Sequence, residues 1–187
     1  IFSATRQSGL DMTGKFLTLI LVLAAAIAGG SLYYLQVYAY YDEVTDAEAG
    51  GVTLVANAIG KPIKIVYDDF QAIDSDSSPL RFRACFSVTN SLGMLTENFR
   101  VYEDPVPTVA PSWFDCFDAK ALGAALEEGT AIAFMGEENI HYGFDRVVAV
   151  LPNGRGFAWH QINHCGEVVF DGNPAPEGCP PVPEGLQ

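Results

Sequence analysis

Residues 16–37 read FLTLILVLAAAIAGGSLYYLQV, a run of 22 positions without a charged side chain. At about 1.5 Å per residue, a helix of that length covers about 33 Å, enough for a hydrocarbon layer of roughly 30 Å. Arg6 and Lys15 precede the run. Tyr33, Tyr34, Tyr38, Tyr40 and Tyr41 crowd its far end, and Asp42, Glu43, Asp46 and Glu48 follow at once. Basic residues favour the cytoplasmic side, and tyrosine rings favour the headgroup layer of the bilayer. The expectation is a protein of the inner (plasma) membrane that crosses it once. Residues 1–15 form a cytoplasmic N-terminus, residues 16–41 a transmembrane helix with its aromatic boundary, and the remainder is periplasmic.

A cleaved signal peptide is the rival reading, because residues 24–30 contain an A-x-A pattern that a signal peptidase accepts. The apolar run continues past that site through Leu32 to Val37, which is long for a signal segment and favours a retained anchor. Small residues recur four apart along the run, at Ala24 and Ala28, Ala25 and Gly29, and Ala26 and Gly30. Such spacing lets a second helix approach closely.

Charge separates the two parts of the chain. Of 23 acidic and 10 basic residues, 22 and 8 lie from Asp42 onward, a balance of −14 for the outer part. Nucleic-acid binding is excluded, since phosphate affinity needs clustered Lys and Arg. A basic partner, such as a small electron carrier of the same compartment, is the kind of molecule that this charge attracts. Solubility charge is the plainer explanation.

About 145 residues suffice for one hydrophobic core. Residues 42–51 are polar, close on Gly50 and Gly51, and read as a linker. Residues 171–187 hold five of the eleven prolines and read as an irregular surface tail. Between them, residues 52–170 read as an α+β domain with a mainly antiparallel sheet and short helices. Residues 52–56 and 62–67 form a hairpin, residues 68–79 a polar turn region, and residues 81–88 a half-buried strand with Phe82, Ala84 and Phe86 inward. Residues 91–99 predict a short helix. Asp118 caps a second helix through Glu128, with Ala121, Leu122, Ala125 and Leu126 as its apolar stripe and Gly129 as its stop. Strands follow at 130–135, 146–151 and 156–162, the last two joined by the turn signal Pro152-Asn153-Gly154-Arg155, and residues 165–170 read as a last strand.

The four cysteines, Cys85, Cys116, Cys165 and Cys179, all fall in the outer part, and an even number suggests two disulfides in an oxidising compartment. Three pairings are open. Cys85–Cys116 with Cys165–Cys179 is favoured, because the second bridge would pin the proline-rich tail.

Candidate chemistry is sparse. His160 and His164 would share one face of a strand, but their spacing fits no zinc motif and any further ligand, Cys179 or His141, is remote in sequence. Residues 74–78, Asp-Ser-Asp-Ser-Ser, resemble the start of a calcium loop, yet Pro79 stands at the sixth position and Cys85 at the twelfth, where glycine and glutamate are needed. There is no G-x-S-x-G, H-E-x-x-H, C-x-x-C or C-x-x-C-H. The reading is of a protein that is not an enzyme and carries no cofactor.

The stretches WFDCFD at 113–118, DRVVAVLPNGR at 145–155 and AWHQ at 158–161 resemble an uncharacterised bacterial family of single-pass membrane proteins with one domain of unknown function. The likeness runs over residues 12–163 and implies no activity, substrate or cofactor. It leaves out Cys165 and Cys179, so that bridge is expected to be particular to this chain. The leading expectation is a non-catalytic accessory subunit of a larger inner-membrane complex, a respiratory or photosynthetic electron-transfer complex above others, with the anchor packed on other transmembrane subunits. The alternatives are a membrane-anchored periplasmic ligand-binding or assembly factor and, behind it, a metal-dependent enzyme at His160 and His164.

Overall fold

A computed structural model of the protein describes residues 5–185, with side chains described from residue 14 onward. Arg6, read above as a cytoplasmic charge, therefore has no described side chain, and residues 1–4, 186 and 187 of the expected termini lie outside the described residues. The chain divides into two compact units, Ile1–Tyr40 and Tyr41–Gln187.

The first unit is helix α1, Thr5–Tyr34, continued by a wider π-helical turn at Leu35–Ala39. Within it Gly14–Ala39, 26 residues of mean hydropathy 2.1, is long and apolar enough to cross a membrane and is compatible with a single-pass anchor. The π turn brings Tyr38 onto both Tyr34 and Tyr33, with ring centroids 5.8 and 6.4 Å apart. These three tyrosines thus gather into one aromatic group, 60% and 61% exposed at Tyr33 and Tyr34.

The second unit is an α+β domain. Its elements in chain order are β1 (Asp42–Val44), β2 (Thr53–Val55), β3 (Pro62–Lys64), β4 (Tyr67–Asp74), β5 (Arg83–Val88), α2 (Leu92–Asn98), α3 (Ala119–Glu127), β6 (Ile132–His141), β7 (Phe144–Val150), β8 (Arg155–Ile162) and α4 (His164–Phe170). Six strands form one sheet in the order β1-β4-β5-β8-β7-β6, every neighbour antiparallel. β2 and β3 form the expected hairpin. Residues 99–102 tie it to the sheet. The Arg100 amide donates to Val55 O, while Arg100 O and Ala133 O accept from the Met135 and Tyr102 amides, each at 2.9 Å. The hairpin therefore hangs from the β6 edge and folds over one face.

Strand parity sorts the core into two layers. Val52, Leu54, Phe82, Ala84, Phe86, Leu95, Phe134 and Val148 pack on the face covered by the hairpin and α2. Cys85, Phe114, Phe117, Leu122, Val147, Phe157 and Trp159 pack on the other, covered by α3 and the loop before it. β7 is buried on both faces, which is why its second half, Val147 to Val150, reads as an unbroken apolar run. The same burial corrects the half-buried reading of β5, whose Arg83 is only 3% exposed.

Several expectations change. Residues 42–51 are not a free linker. β1 pairs with β4, and the following turns are closed by amides of Ala49 and Gly51 bonding to Thr45 O and Asp46 O at 2.9 Å. β1 is short and acidic because it is an edge strand, where charge blocks further pairing. Residues 68–79, read as a turn region, contain most of β4, whose alternation is broken by a bulge between Asp68 and Gln71. Residues 165–170 are helical rather than extended, since the Asn163 side chain accepts the Gly166 amide at 3.0 Å and caps α4. In α3, Asp118 caps as expected by accepting the Lys120 and Ala121 amides at 3.0 Å, while Ala121 is exposed and leaves Leu122 to anchor the helix. Both disulfides are present with the favoured pairing, Cys85–Cys116 joining β5 to the loop before α3 and Cys165–Cys179 holding the tail to α4.

Candidate functional site

The two histidines flagged in the sequence part company. His164 is the exposed first residue of α4, whereas His160 is 1% exposed on β8. The His160 Nδ1 lies 2.7 Å from Pro79 O, a pure acceptor, so Nδ1 carries the proton. Its Nε2 lone pair then accepts from Arg146 Nε at 3.1 Å. Both ring nitrogens are thereby used within the domain, and neither is open to a metal. Among the described residues no group of three or more His, Cys, Asp and Glu is arranged to hold an ion. The 74–78 segment is a self-bonded turn, with the Ser75 amide on Asp74 Oδ1 at 2.8 Å and the Ser75 and Ser77 hydroxyls 2.9 Å apart.

Around His160 lies a buried cationic stack. The imidazole stacks on Phe82 with centroids 4.7 Å apart, and the Arg146 guanidinium sits 4.2 Å from the same ring. Arg146 Nη1 donates to Ala49 O at 2.7 Å, which locks the chain between β1 and β2 onto the sheet. Burial, reinforced by the Arg146 charge, pushes His160 down to about 3, so the ring is neutral at ordinary pH. Burial also lowers Arg146 and raises the nearby Asp74.

The opposite face holds a second buried guanidinium. Arg83 donates to Thr108 O at 2.7 Å, to Leu80 O and Phe82 O at 2.6 Å, and to Val109 O at 3.1 Å. Burial lowers its pKa to about 10, so it stays charged at neutral pH. It clamps an irregular proline loop to β5. At the far end of the sheet, Asp145 is 4% exposed, and its Oδ1 accepts from the Asn139 amide at 2.9 Å and Asn163 Nδ2 at 2.7 Å. Tyr102 OH lies 3.4 Å from its other oxygen, and burial followed by the Asp145 charge raises the tyrosine. This network ties the β6–β7 turn to the cap of α4. A side-chain carbon at Gly166 would lie 2.3 Å from Gly143 O, so the two backbones meet where only glycine fits. Beside it opens an acidic cleft of about 400 Å³, with Glu103, Asp104, Glu138 and Glu167 in its lining.

Sequence reading missed Arg83, Arg146, Asp145, Asn139 and Asn163. The available signal was a charge inside an apolar strand, as in Asp145-Arg146-Val147-Val148, since charged residues are rarely fully buried without a structural partner. The proposed packing residues Ala24, Ala25, Ala26, Ala28, Gly29 and Gly30 are all exposed on α1. Side-chain carbons at Gly29 or Gly30 would meet no atom within 4 Å. Tyr33, Tyr34, Tyr38 and Tyr40 are exposed with them, but Tyr41 belongs to the second unit, where it packs 6.2 Å from Trp113 under the Arg81 guanidinium. Trp113, Phe114 and Phe117 line the core beneath the proline loop.

Residues 52–180 match a family of unknown function, DUF6446, and the chain belongs to that family. The match begins after α1 and β1 and runs to Pro180, so it takes in Cys165 and Cys179; the bridge expected to be particular to this chain lies within the family match. No curated protein and no solved structure matches the chain.

Proposed function

For this member of a family of unknown function, we propose a non-catalytic accessory subunit of a larger membrane assembly, anchored by α1 with its sheet domain on the periplasmic side. One observation carries the reading. The buried polar side chains, Arg83, Asp145, Arg146 and His160, each use their hydrogen bonds to join elements of the domain. Groups engaged in this way suit a rigid scaffold more than acid–base or nucleophilic chemistry, which supports a non-catalytic role. The anchor supplies the means of assembly, through the exposed small residues Ala24, Ala28, Gly29 and Gly30. Two disulfides suit an oxidising compartment and so support a domain outside the cytoplasm. The favoured host is a respiratory or photosynthetic electron-transfer complex, where small single-pass subunits recur and an acidic outer domain meets basic carriers.

The test is extraction of the native protein in mild detergent through a C-terminal tag, reading both the co-purifying polypeptides and the visible spectrum. A fixed set of membrane subunits with pigment or haem bands is the expected result. Gly29→Leu or Gly30→Leu should strip those subunits away while the outer domain stays folded. A solitary, colourless chain would end the proposal.

A further inference from the structure

The exposed side of α3 forms the floor of a groove. Ala119, Gly123 and Ala124 line it, and the wall opposite is the loop Asp104-Pro105-Val106-Pro107, enclosing about 680 Å³. A second hollow of about 300 Å³ continues it past Ala119 and Lys120 towards Val109 and Asp115. The floor is low because the helix carries small residues there, and a side-chain carbon at Gly123 would meet no atom within 4 Å.

The wall is built, not slack. Gln161 grips it from behind, its Oε1 accepting the Val106 amide at 2.7 Å and its Nε2 donating to Asp104 O at 2.9 Å. The buried Arg83 holds the next stretch by Thr108 O and Val109 O. Two side chains thus fix a loop that has no regular structure of its own. The result is that Val106 stands 62% exposed and Val109 78% exposed. Fixing an apolar surface outside the core costs hydrophobic free energy unless something covers it, and a pre-formed groove lowers the ordering cost of binding.

Charge selects the occupant. Asp104 and Glu127 rim the larger hollow and Asp115 and Asp118 the smaller, four carboxylates against the single cation Lys120 that both linings share. None of these carboxylates is in an ion pair with a described residue. The chain's own tail, residues 171–187, carries Asp171, Glu177 and Glu184 with no Lys or Arg, and a second copy brings a net charge of −13; both are repelled. We propose that the groove between α3 and the 104–107 loop docks a protein segment with an aliphatic centre flanked by lysines or arginines. This contact adds to the anchor-mediated assembly proposed above and stands without it, because it needs no residue of α1.

The experiment uses the full chain in neutral-detergent micelles and a short fluorescent peptide, with a leucine–valine centre between lysine pairs, read by polarisation against protein-free micelles. Its affinity should exceed by at least about tenfold that of a peptide with the same lysines around a serine–glycine centre, and that of one with glutamates in place of the lysines. Gly123→Leu, which fills the floor at an open helix position, should weaken binding by about tenfold or more. Val106→Ser, which removes apolar surface from a 62% exposed loop side chain without adding charge, should do the same. Asp104→Asn with Glu127→Gln should weaken it as well, whereas Glu97→Gln on α2 should leave it unchanged. Equal binding of the serine–glycine peptide would reduce the effect to bulk charge and overturn the proposal. So would unchanged affinity in both groove variants, or self-association of the chain that Gly123→Leu abolishes, which would make the occupant a second copy. Loss of co-purifying subunits is not part of this readout, so the two proposals fail separately.

Discussion

The two faces of the central sheet each bury one guanidinium and close themselves in opposite ways. Under the hairpin and α2, the cover is regular structure, and Arg146 meets only His160 and Ala49 O with its charge over the Phe82 ring. Under α3, much of the cover is an irregular proline loop, and Arg83 is saturated by carbonyls of Leu80, Phe82, Thr108 and Val109, with Cys85–Cys116 beside it. Neither arginine has a carboxylate partner within ion-pair distance among the described residues. The difference teaches where a buried charge holds a fold together. Strands that already pair need little from it, whereas a loop without backbone partners depends on it for its shape.

The largest expected effect follows directly. Arg83→Met removes four charge-assisted bonds and frees the loop carbonyls, and should cost about 3 kcal/mol. Arg146→Met fills similar volume, loses two bonds and sheds the desolvation penalty of a lone buried cation, and should cost only about 1 kcal/mol. Urea unfolding of the full chain in detergent, followed by tryptophan fluorescence, gives both values. Equal costs would break the comparison, since the number of carbonyls held would then not matter.

What could be read in advance divides along the same line. β7 and β8 were legible because Val147 to Val150 form a continuous apolar run and Asn153-Gly154 sets the turn, with Gly154 at φ 84°. α3 was legible from Asp118 and Gly129 at its ends. β1 and β4 were not, because edge strands carry acids for protection and a bulge at 68–71 interrupts the alternation that would have betrayed the strand. α4 was hidden because its only local signal is one capping asparagine, and its position is fixed by the Gly143–Gly166 approach, a tertiary fact. The pairing His160–His164 failed for the same reason, since a turn of direction at Asn163 separates residues that an unbroken strand would have aligned. The proline-loop groove is legible only after folding, because Gln161 and Arg83 reach it from β8 and β5 across more than twenty residues of sequence.

Acid sharpens the contrast, because only the Arg146 face holds a buried histidine. Its folded pKa, about 3, lies below the ordinary value of about 6.5 for the unfolded chain, so the unfolded state binds the extra proton. That contribution to stability is fully present above about pH 6.5 and is lost as pH falls, by about 1.4 kcal/mol per unit, down to about pH 3. Between pH 7 and pH 5 the wild type should therefore lose about 2 kcal/mol more than His160→Gln. The lowered carboxylates Asp46 and Glu48 act in the same direction and raised Asp74 in the opposite one, but all three are common to both proteins and cancel in the difference. Parallel pH profiles would mean that His160 is already hydrated and charged, and that Arg146 does not use it as an acceptor.

The smallest effect tests what fastens the regular cover. Lys64, at the end of β3, pairs with Asp46 at 3.3 Å, and their side chains are 56% and 45% exposed. Asp46 also accepts from Tyr67 OH, so the carboxylate keeps a partner when the lysine is removed. An exposed pair of this kind contributes about 0.5 kcal/mol or less, because water screens it and both side chains lose freedom. Lys64→Met should accordingly lower the unfolding free energy by no more than that amount, and raising the salt concentration should shrink the difference between wild type and variant further. If the substitution instead cost as much as Arg83→Met, the hairpin would be held by its surface charges and not by Val52, Leu54 and Phe134 beneath it. The two faces would then both depend on polar fastenings, and the regularity of the strands would no longer explain why Arg146 has so little to hold.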